Sequence, residues 1–382
     1  MKIVFITSNH YLDSAVPLIN SLSKYLDILV IVNCLEESRN FFFRPDCGRK
    51  KEPLIEVIKD QVQALPDYAG LLKPEGNFRL FFVFYKNHKI LSPGAWRNIF
   101  SVKKYLDDAE IIHVQTLDAH NYFALNGFAN KKIIIDIHDI IQHSGSDSTP
   151  WSVFIRKKWL VLADQIIVHN LSCLKYLNSP AKNKTNVLPF GLIPLTYRNN
   201  LPSAERGVPN ILFFGRICQY KGIEYLIEAA QILKKSLPDF KVTIAGHGNY
   251  DFGAEGIKDD PKFQIINRYI SNEELAGLIN KSTFVVCPYT DATQSGVIMT
   301  AFACEKPVVA TSVGSFPEVI EDNLTGRIVP PKDSKKLAEA FLDLLINPEK
   351  INIMKENIKK KYCQKNYSWD YIARKTIDIY KK

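Results

Sequence analysis

The stretch from Pro288 to Val309, PYTDATQSGVIMTAFACEKPVV, constrains the fold more than any other. Apolar residues Phe284–Cys287 lead into it, and Thr290–Ser295 form a polar loop with Gly296 at the bend. Val297–Cys304 then reads as an apolar helix and Val308–Val309 as a short β-branched strand. Strand, loop, helix, strand is the repeating unit of a parallel sheet. In an open sheet of that kind, ligands lie outside the carboxyl ends of the strands. The free amides and positive end of the following helix favour an anion there. An ordinary turn capped by Ser295 fits the same residues.

A chain of 382 residues is too long for one core, and two α/β domains are expected. The formal charge is +9, spread evenly along the chain rather than gathered in a basic stripe, which argues against nucleic acid as the partner. An anionic substrate or membrane surface stays open. The cysteines, at 34, 47, 173, 218, 287, 304 and 363, are odd in number, form no C-x-x-C pair and mostly sit in apolar runs. Buried reduced thiols in a cytosol are expected, and a zinc site is not. No stretch is apolar for the length of a membrane span, and Met1–Ile6 reads as a first strand rather than a signal peptide.

Strands at Lys2–Thr7 and Ile28–Val32 enclose a helix at Ser14–Tyr25, so the chain opens as βαβ. The first loop has no G-x-G-x-x-G; its Asn9 and His10 either face a cleft or are solvated. Residues 39–51 interleave Phe41–Phe43 with Arg44, Arg49, Lys50 and Lys51, a pattern for a membrane interface or lipid-linked anion, or else a solvated loop. Pro53–Leu65 reads as an amphipathic helix and Leu80–Phe84 as a core strand. The strand Lys132–Ile137 ends in His138-Asp139, which topology aims at the ligand crevice; a structural histidine is the other reading. Val187–Gly191 reads as a strand and turn, and Leu192–Asn210 has linker composition.

The pattern then restarts. Strand Ile211–Phe214 runs into Gly215-Arg216 and Lys221-Gly222 before a helix at Ile223–Lys235, and strand Lys241–Ala245 runs into Gly246-His247-Gly248. Two cations in one strand-to-helix loop can grip a diphosphate; a solvated basic turn is the alternative. There is no Asp-x-Asp in the chain, so no metal clamp of that kind is expected.

In order, these pieces resemble a GT-B glycosyltransferase of the large retaining family usually called family 4, or glycosyltransferase group 1. The resemblance rests on FFGRICQYKGIEYLIEAAQIL (213–233), IAGHG (244–248), the stretch 288–320, NLTGRIV (323–329) and YSWDYIARKTIDIY (367–380). Weaker matches are DIHD (136–139), ADQIIVHN (163–170) and NVLPFG (186–191). It implies an α/β protein with two Rossmann-like domains whose parallel sheets face a cleft. Residues 1–195 would meet the acceptor, 205–366 would bind a nucleotide sugar, and the helix 367–382 would pack back on the first domain. It further implies retaining, metal-independent transfer from a UDP- or GDP-linked sugar to a glycan or lipid-linked acceptor in surface polysaccharide or glycolipid synthesis. No resident cofactor is implied, and the place would be the cytoplasm or the inner face of the membrane.

By position, Arg216 and Lys221 resemble the pair on the donor diphosphate, His138 the histidine on the donor sugar, and Gly215 and Gly246 the loops beside the nucleotide. Thr293, Gln294, Ser295 and Gly296 would supply the rest of the donor site. The sequence departs from the family at E-x7-E: the second glutamate falls on Thr300 and the first near Asp291 or Thr293. The resemblance implies retention by same-face attack; no carboxylate stands out as a nucleophile, and Asp291 is the least unsuitable. A binding subunit that kept the fold, and a sugar-nucleotide epimerase, are the rival readings.

Overall fold

The protein is described here over residues 1–35, 54–85, 93–126, 130–140, 149–195, 207–363 and 366–382 of a computed structural model. The basic-aromatic stretch 39–51, with Arg44, Arg49, Lys50 and Lys51, lies outside the described residues.

The first domain is an eight-stranded sheet with strands β1 (Lys2–Ser8), β2 (Asp27–Leu35), β3 (Leu54–Val57), β4 (Phe78–Tyr85), β5 (Ile111–Val114), β6 (Lys132–Ile137), β7 (Gln165–Val168) and β8 (Thr185–Val187), in the order β3-β4-β2-β1-β5-β6-β7-β8. All neighbours are parallel except the edge pair β3 and β4. Its helices are α1 (Leu12–Leu22), α2 (Pro93–Leu106), α3 (Ala119–Leu125) and α4 (Pro150–Leu162). Alternating side chains feed two cores: Phe5, Val30 and Phe82 on one face, Val4, Ile31 and Phe81 on the other.

The second domain is a six-stranded parallel sheet: β9 (Asn210–Phe214), β10 (Lys241–Gly246), β11 (Phe263–Asn267), β12 (Phe284–Cys287), β13 (Val308–Thr311) and β14 (Gly326–Val329), in the order β11-β10-β9-β12-β13-β14. This third-second-first-fourth-fifth-sixth order is the doubly wound arrangement. Helices α5 (Ile223–Leu233), α6 (Asn272–Lys281), α7 (Gly296–Ala303), α8 (Ser334–Ile346) and α9 (Pro348–Ile358) complete it. Strands β9, β12 and β13 are apolar on both faces because both are covered.

The last helix, α10 (Trp369–Lys381), returns to the first domain. Ile372, Ala373 and Ile379 join the core beside Leu18 and Leu22 of α1. The Tyr380 hydroxyl lies 2.7 Å from His113 Nδ1 inside the sheet, and Lys132 Nζ donates to the Tyr380 carbonyl at 3.0 Å. The crossing is pinned where Trp369 Nε1 donates to the Leu192 carbonyl at 2.5 Å.

Two expectations fail. Pro53–Leu65 is not a helix: Leu54–Val57 is an antiparallel edge strand on β4, and Lys59–Ala64 is a 3-10 turn. Ile55 and Val57 are both buried with Glu56 exposed between them, a period of two that a 13-residue helical pattern masks. Glu56 also accepts from Arg79 Nε at 2.9 Å across the strand pair. The strand of the strand-and-turn expected at 187–191 lies further back, at Thr185–Val187, because Pro189 has no amide to continue the ladder.

Candidate active site

In a doubly wound sheet the crevice opens where the strand order reverses, here between β9 and β12. The loops that leave these two strands are Gly215–Gly222 and Pro288–Ser295, the two most distinctive loops of the sequence. They are zipped together. Thr290 N donates to the Tyr220 carbonyl at 2.8 Å. Gly222 adopts φ 63°, and a Cβ there would stand 2.1 Å from the Pro288 carbonyl oxygen, so only glycine lets the loops close this far. The closure lays the Lys221 ammonium 3.8 Å from the centre of the Tyr289 ring and 5.0 Å from that of Tyr220.

Lys221 is buried, and among the described residues no carboxylate pairs with it. Burial lowers its pKa to about 8, opposed by the thiols of Cys287 and Cys218 and, less, by the Asp139 charge; the Arg216 charge lowers it further. The exposed Arg216 is thus close enough to act on Lys221. Two cations act on one another here, and Asp139, whose Oδ1 is already bonded by Thr293, opposes them only weakly; such an excess of positive charge is the electrostatic form of an anion site. Gly246 packs against this loop: a Cβ on it would stand 1.7 Å from the Gly215 carbonyl oxygen, and Gly215 N donates to the Ala245 carbonyl at 3.0 Å.

The start of α7 departs from an ordinary capped turn. Ser295 occupies the N-cap position, yet its side chain makes no capping hydrogen bond. The carboxylate of Asp13, from α1 of the other domain, faces this helix start: a Cβ at Gly296 would stand 3.9 Å from Asp13 Oδ2. Burial raises the Asp13 pKa to about 6, against the pull of the Ser14 amide and hydroxyl.

The first domain meets this loop directly. Thr293 Oγ1 donates to Asp139 Oδ1 at 2.5 Å, and Asn170 Nδ2 donates to the Thr293 carbonyl at 3.4 Å. Glu318 accepts from the amides of Leu171 and Ser172 at 2.7 and 2.9 Å. Gln294 Nε2 lies 3.4 Å from His138 Nδ1. If the amide donates there, the His138 proton sits on Nε2, which is buried without a hydrogen-bond partner. Burial holds the His138 pKa down to about 4, against the Asp136 charge, so the ring is neutral at ordinary pH. Tyr11 stacks on it, centroids 4.4 Å apart at 14°. A neutral imidazole with one free N–H can donate to a sugar hydroxyl.

Beneath His138, Asp136 Oδ1 lies 2.8 Å from His169 Nε2. Burial opposes charge on both, but the contact outweighs it: the imidazoles hold the Asp136 carboxyl well below its usual range, and Asp136 raises the His169 pKa. Asp136, His138 and His169 each offer a ligand atom within 4.8 Å of the others, the one such cluster among the described residues. The Asp136–His169 ion pair already supplies the buried carboxylate with a counter-charge.

The remaining expected site residues fall elsewhere. The Thr300 hydroxyl donates to the Gly296 carbonyl at 2.9 Å and so belongs to its own helix. Asp291 lines a small recess beside the interdomain contact, with Thr293, Asn170, Lys175, Tyr176 and Gly314. Asn9 and His10 form a 3-10 turn after β1, Asn9 half-buried and His10 exposed. Tyr11 and Asp13 had no signal in the sequence beyond their place after strand β1, whereas His169, Asn170 and Glu318 lie in matched stretches, 163–170 and 288–320, without being singled out there.

Two doubly wound domains joined across a cleft, the last helix returning to the first, define the GT-B fold. Residues 208–347 match the family Glycosyl transferases group 1, and this part of the chain is a domain of that kind. The chain is 34% identical over 155 residues to the alpha-D-kanosaminyltransferase of Streptomyces kanamyceticus, a match spanning 39% of each protein. It is 27% identical over 314 residues to the alpha-maltose-1-phosphate synthase of Mycobacterium tuberculosis, covering 72% of this chain and 79% of that one. Among solved structures, sucrose-phosphate synthase from Thermosynechococcus elongatus superposes with a TM-score of 0.71 at 18% identity, over 100% of this chain and 98% of that one. Anabaena Alr3699/HepE, in complex with UDP-glucose, gives 0.69 at 16% identity, over 100% and 99%. The fold likeness therefore runs the whole chain, whereas the kanosaminyltransferase match spans about two fifths of that protein.

Proposed function

We propose that this protein is a glycosyltransferase that moves a sugar, with retention, from a UDP- or GDP-linked donor to a glycan or lipid-linked acceptor. The observation that carries the reading is Lys221: a buried ammonium in ion-pair contact with no carboxylate among the described residues, beside Arg216, at the switch point of the second sheet. That arrangement suits a diphosphate leaving group, and HepE, of the same fold, binds UDP-glucose.

In the reaction the anomeric carbon–oxygen bond breaks and its electron pair leaves on the β-phosphate. The acceptor hydroxyl oxygen attacks the same face of the sugar, and its proton passes to the departing phosphate oxygen. Negative charge grows on that phosphate, and Arg216, Lys221 and the amides at the start of α7 would stabilise it. These groups take the role a metal ion has elsewhere, so the reaction needs neither metal nor resident cofactor. His138 Nε2–H would hold a donor-sugar hydroxyl while Asp139 and Thr293 keep the two domains together around it. Same-face attack needs no covalent intermediate, and Asp291 is then not required as a nucleophile. The acceptor would be presented at the inner face of the membrane, for surface polysaccharide or glycolipid synthesis. No helix among the described residues is long and apolar enough to cross a membrane.

The test is to incubate the protein with a panel of nucleotide sugars, with and without lipid-linked acceptor, and to measure nucleotide release. Release that depends on acceptor, with the sugar recovered on it, is expected. Binding without release would make the chain a binding subunit, and release of nucleotide and free sugar without acceptor would make it an epimerase.

A further inference from the structure

Helix α4, PWSVFIRKKWLVL, is apolar on the wrong side. Its inward face is accounted for: Ile155 and Trp159 are buried, and Trp159 Nε1 donates to the Asp118 carbonyl at 3.1 Å. Its outward face carries Trp151, Val153, Phe154 and Val161, exposed by 48%, 45%, 47% and 79%. Lys157 and Lys158 are exposed among them, and the helix contains no carboxylate. A helix on the surface of a soluble domain normally turns charged and polar residues outward.

The outward side chains are organised. The rings of Trp151 and Phe154 stack with centroids 5.7 Å apart, and Lys158 Nζ lies 5.3 Å from the Phe154 centroid. Thr149 and Ser152 form a reciprocal capping box, so the helix start is fixed. Arg156 Nη1 donates to the carbonyls of Asp139 and Ile140 at 2.7 Å each. The helix is thereby tied to the residues that follow His138, at the rim of the candidate active site.

We propose that this face of α4 docks the protein on an anionic lipid bilayer. Aromatic and branched side chains interleaved with lysines, without acid, suit the headgroup boundary: rings enter it while lysines extend to lipid phosphates. Charge argues against a second copy, because a symmetric pairing of this face would set Lys157 and Lys158 against themselves. Through Arg156, docking holds the cleft at a fixed height over the surface where a lipid-linked acceptor sits. The proposal rests on the acceptor half of the function above for its purpose, but vesicle binding is read without turnover, so the two fail separately.

The experiment is flotation of the full chain with phosphatidylcholine vesicles, with and without phosphatidylglycerol, at low salt. Wild type should float only with the anionic vesicles and be released by salt. Phe154→Asp and Val161→Asp should each lower partitioning roughly tenfold or more, and Lys157→Ala with Lys158→Ala should remove its dependence on anionic lipid. All positions are exposed, so the variants should keep the wild-type circular dichroism and turnover on a water-soluble acceptor. Wild type that ignores anionic vesicles, or variants that float as well as wild type, would overturn the proposal. So would light scattering that shows a dimer dissolved by Phe154→Asp, which would give this face to a second copy.

Discussion

The Lys221 ammonium lies 3.8 Å from the centre of the Tyr289 ring, buried, with no carboxylate among the described residues to pair with it. A cation so placed is favourable only in part: the ring face attracts it, and burial penalises it. Its pKa, lowered from 10.5 to about 8, records the net penalty. A bound diphosphate would remove that penalty and raise the pKa again. Binding of a nucleoside diphosphate near pH 8.5 should therefore take up protons, detected as a dependence of calorimetric heat on the buffer's ionisation enthalpy. Lys221→Met should abolish the uptake. Heats independent of buffer would mean that the anion sits elsewhere.

Asp13 gives a stability test with a definite sign. Its folded pKa of about 6 lies above the ordinary 3.8, so the folded protein holds the extra proton between those values. Its contribution is fully present below about pH 4 and lost as pH rises through about 6; above that, the ionised carboxylate destabilises the fold by up to about 3 kcal/mol. Asp13→Asn should raise the urea midpoint near pH 7.5 and leave it nearly unchanged near pH 4. An equal shift at both would mean that the carboxylate is solvated in the folded state.

Tyr380 joins the last helix to the first sheet through His113. Tyr380→Phe leaves His113 Nδ1 buried without its partner and should destabilise the protein by about 1–3 kcal/mol, read from denaturant midpoints. Burial holds the His113 pKa down to about 4, so the ring is neutral and the loss should be constant between about pH 6 and pH 8. A loss that grows across that range would show an ionising partner instead.

Turnover should survive EDTA if, as proposed, Arg216 and Lys221 neutralise the leaving group in place of a metal. Inactivation by chelator and recovery with a divalent ion would direct attention to Asp136, His138 and His169, the cluster able to hold one.

Much of this was legible in the sequence, for a physical reason. Arg216, Lys221 and the 288–296 loop announce themselves because each lies in one strand-to-helix turn, where local spacing fixes geometry. Tyr11, Asp13, Asn170 and Glu318 do not, because they reach the site only once the two domains meet: Thr293 against Asp139 and Glu318 against the Leu171 amide are contacts between distant parts of the chain. Thr300 shows a bond that the motif does not announce. Its place in the motif suggested a ligand contact, but a threonine hydroxyl in a helix reaches the carbonyl four residues back, and this one does. The outward face of α4 was legible as letters but not as exposure, since the same apolar residues would suit a buried helix.

The central claim is that Arg216 and Lys221 hold the diphosphate and stabilise it as it leaves. The direct measurement is donor turnover alongside nucleotide affinity in Arg216→Ala, Arg216→Lys and Lys221→Met. The account predicts that Arg216→Ala and Lys221→Met lower turnover roughly 10²-fold or more and also weaken nucleotide binding, because the attraction grows as charge develops. Arg216→Lys should recover only part of the loss, lacking the two-pronged guanidinium. Near-wild-type turnover in Arg216→Ala would contradict it, making the Gly215–Gly222 loop a solvated turn and placing the donor elsewhere.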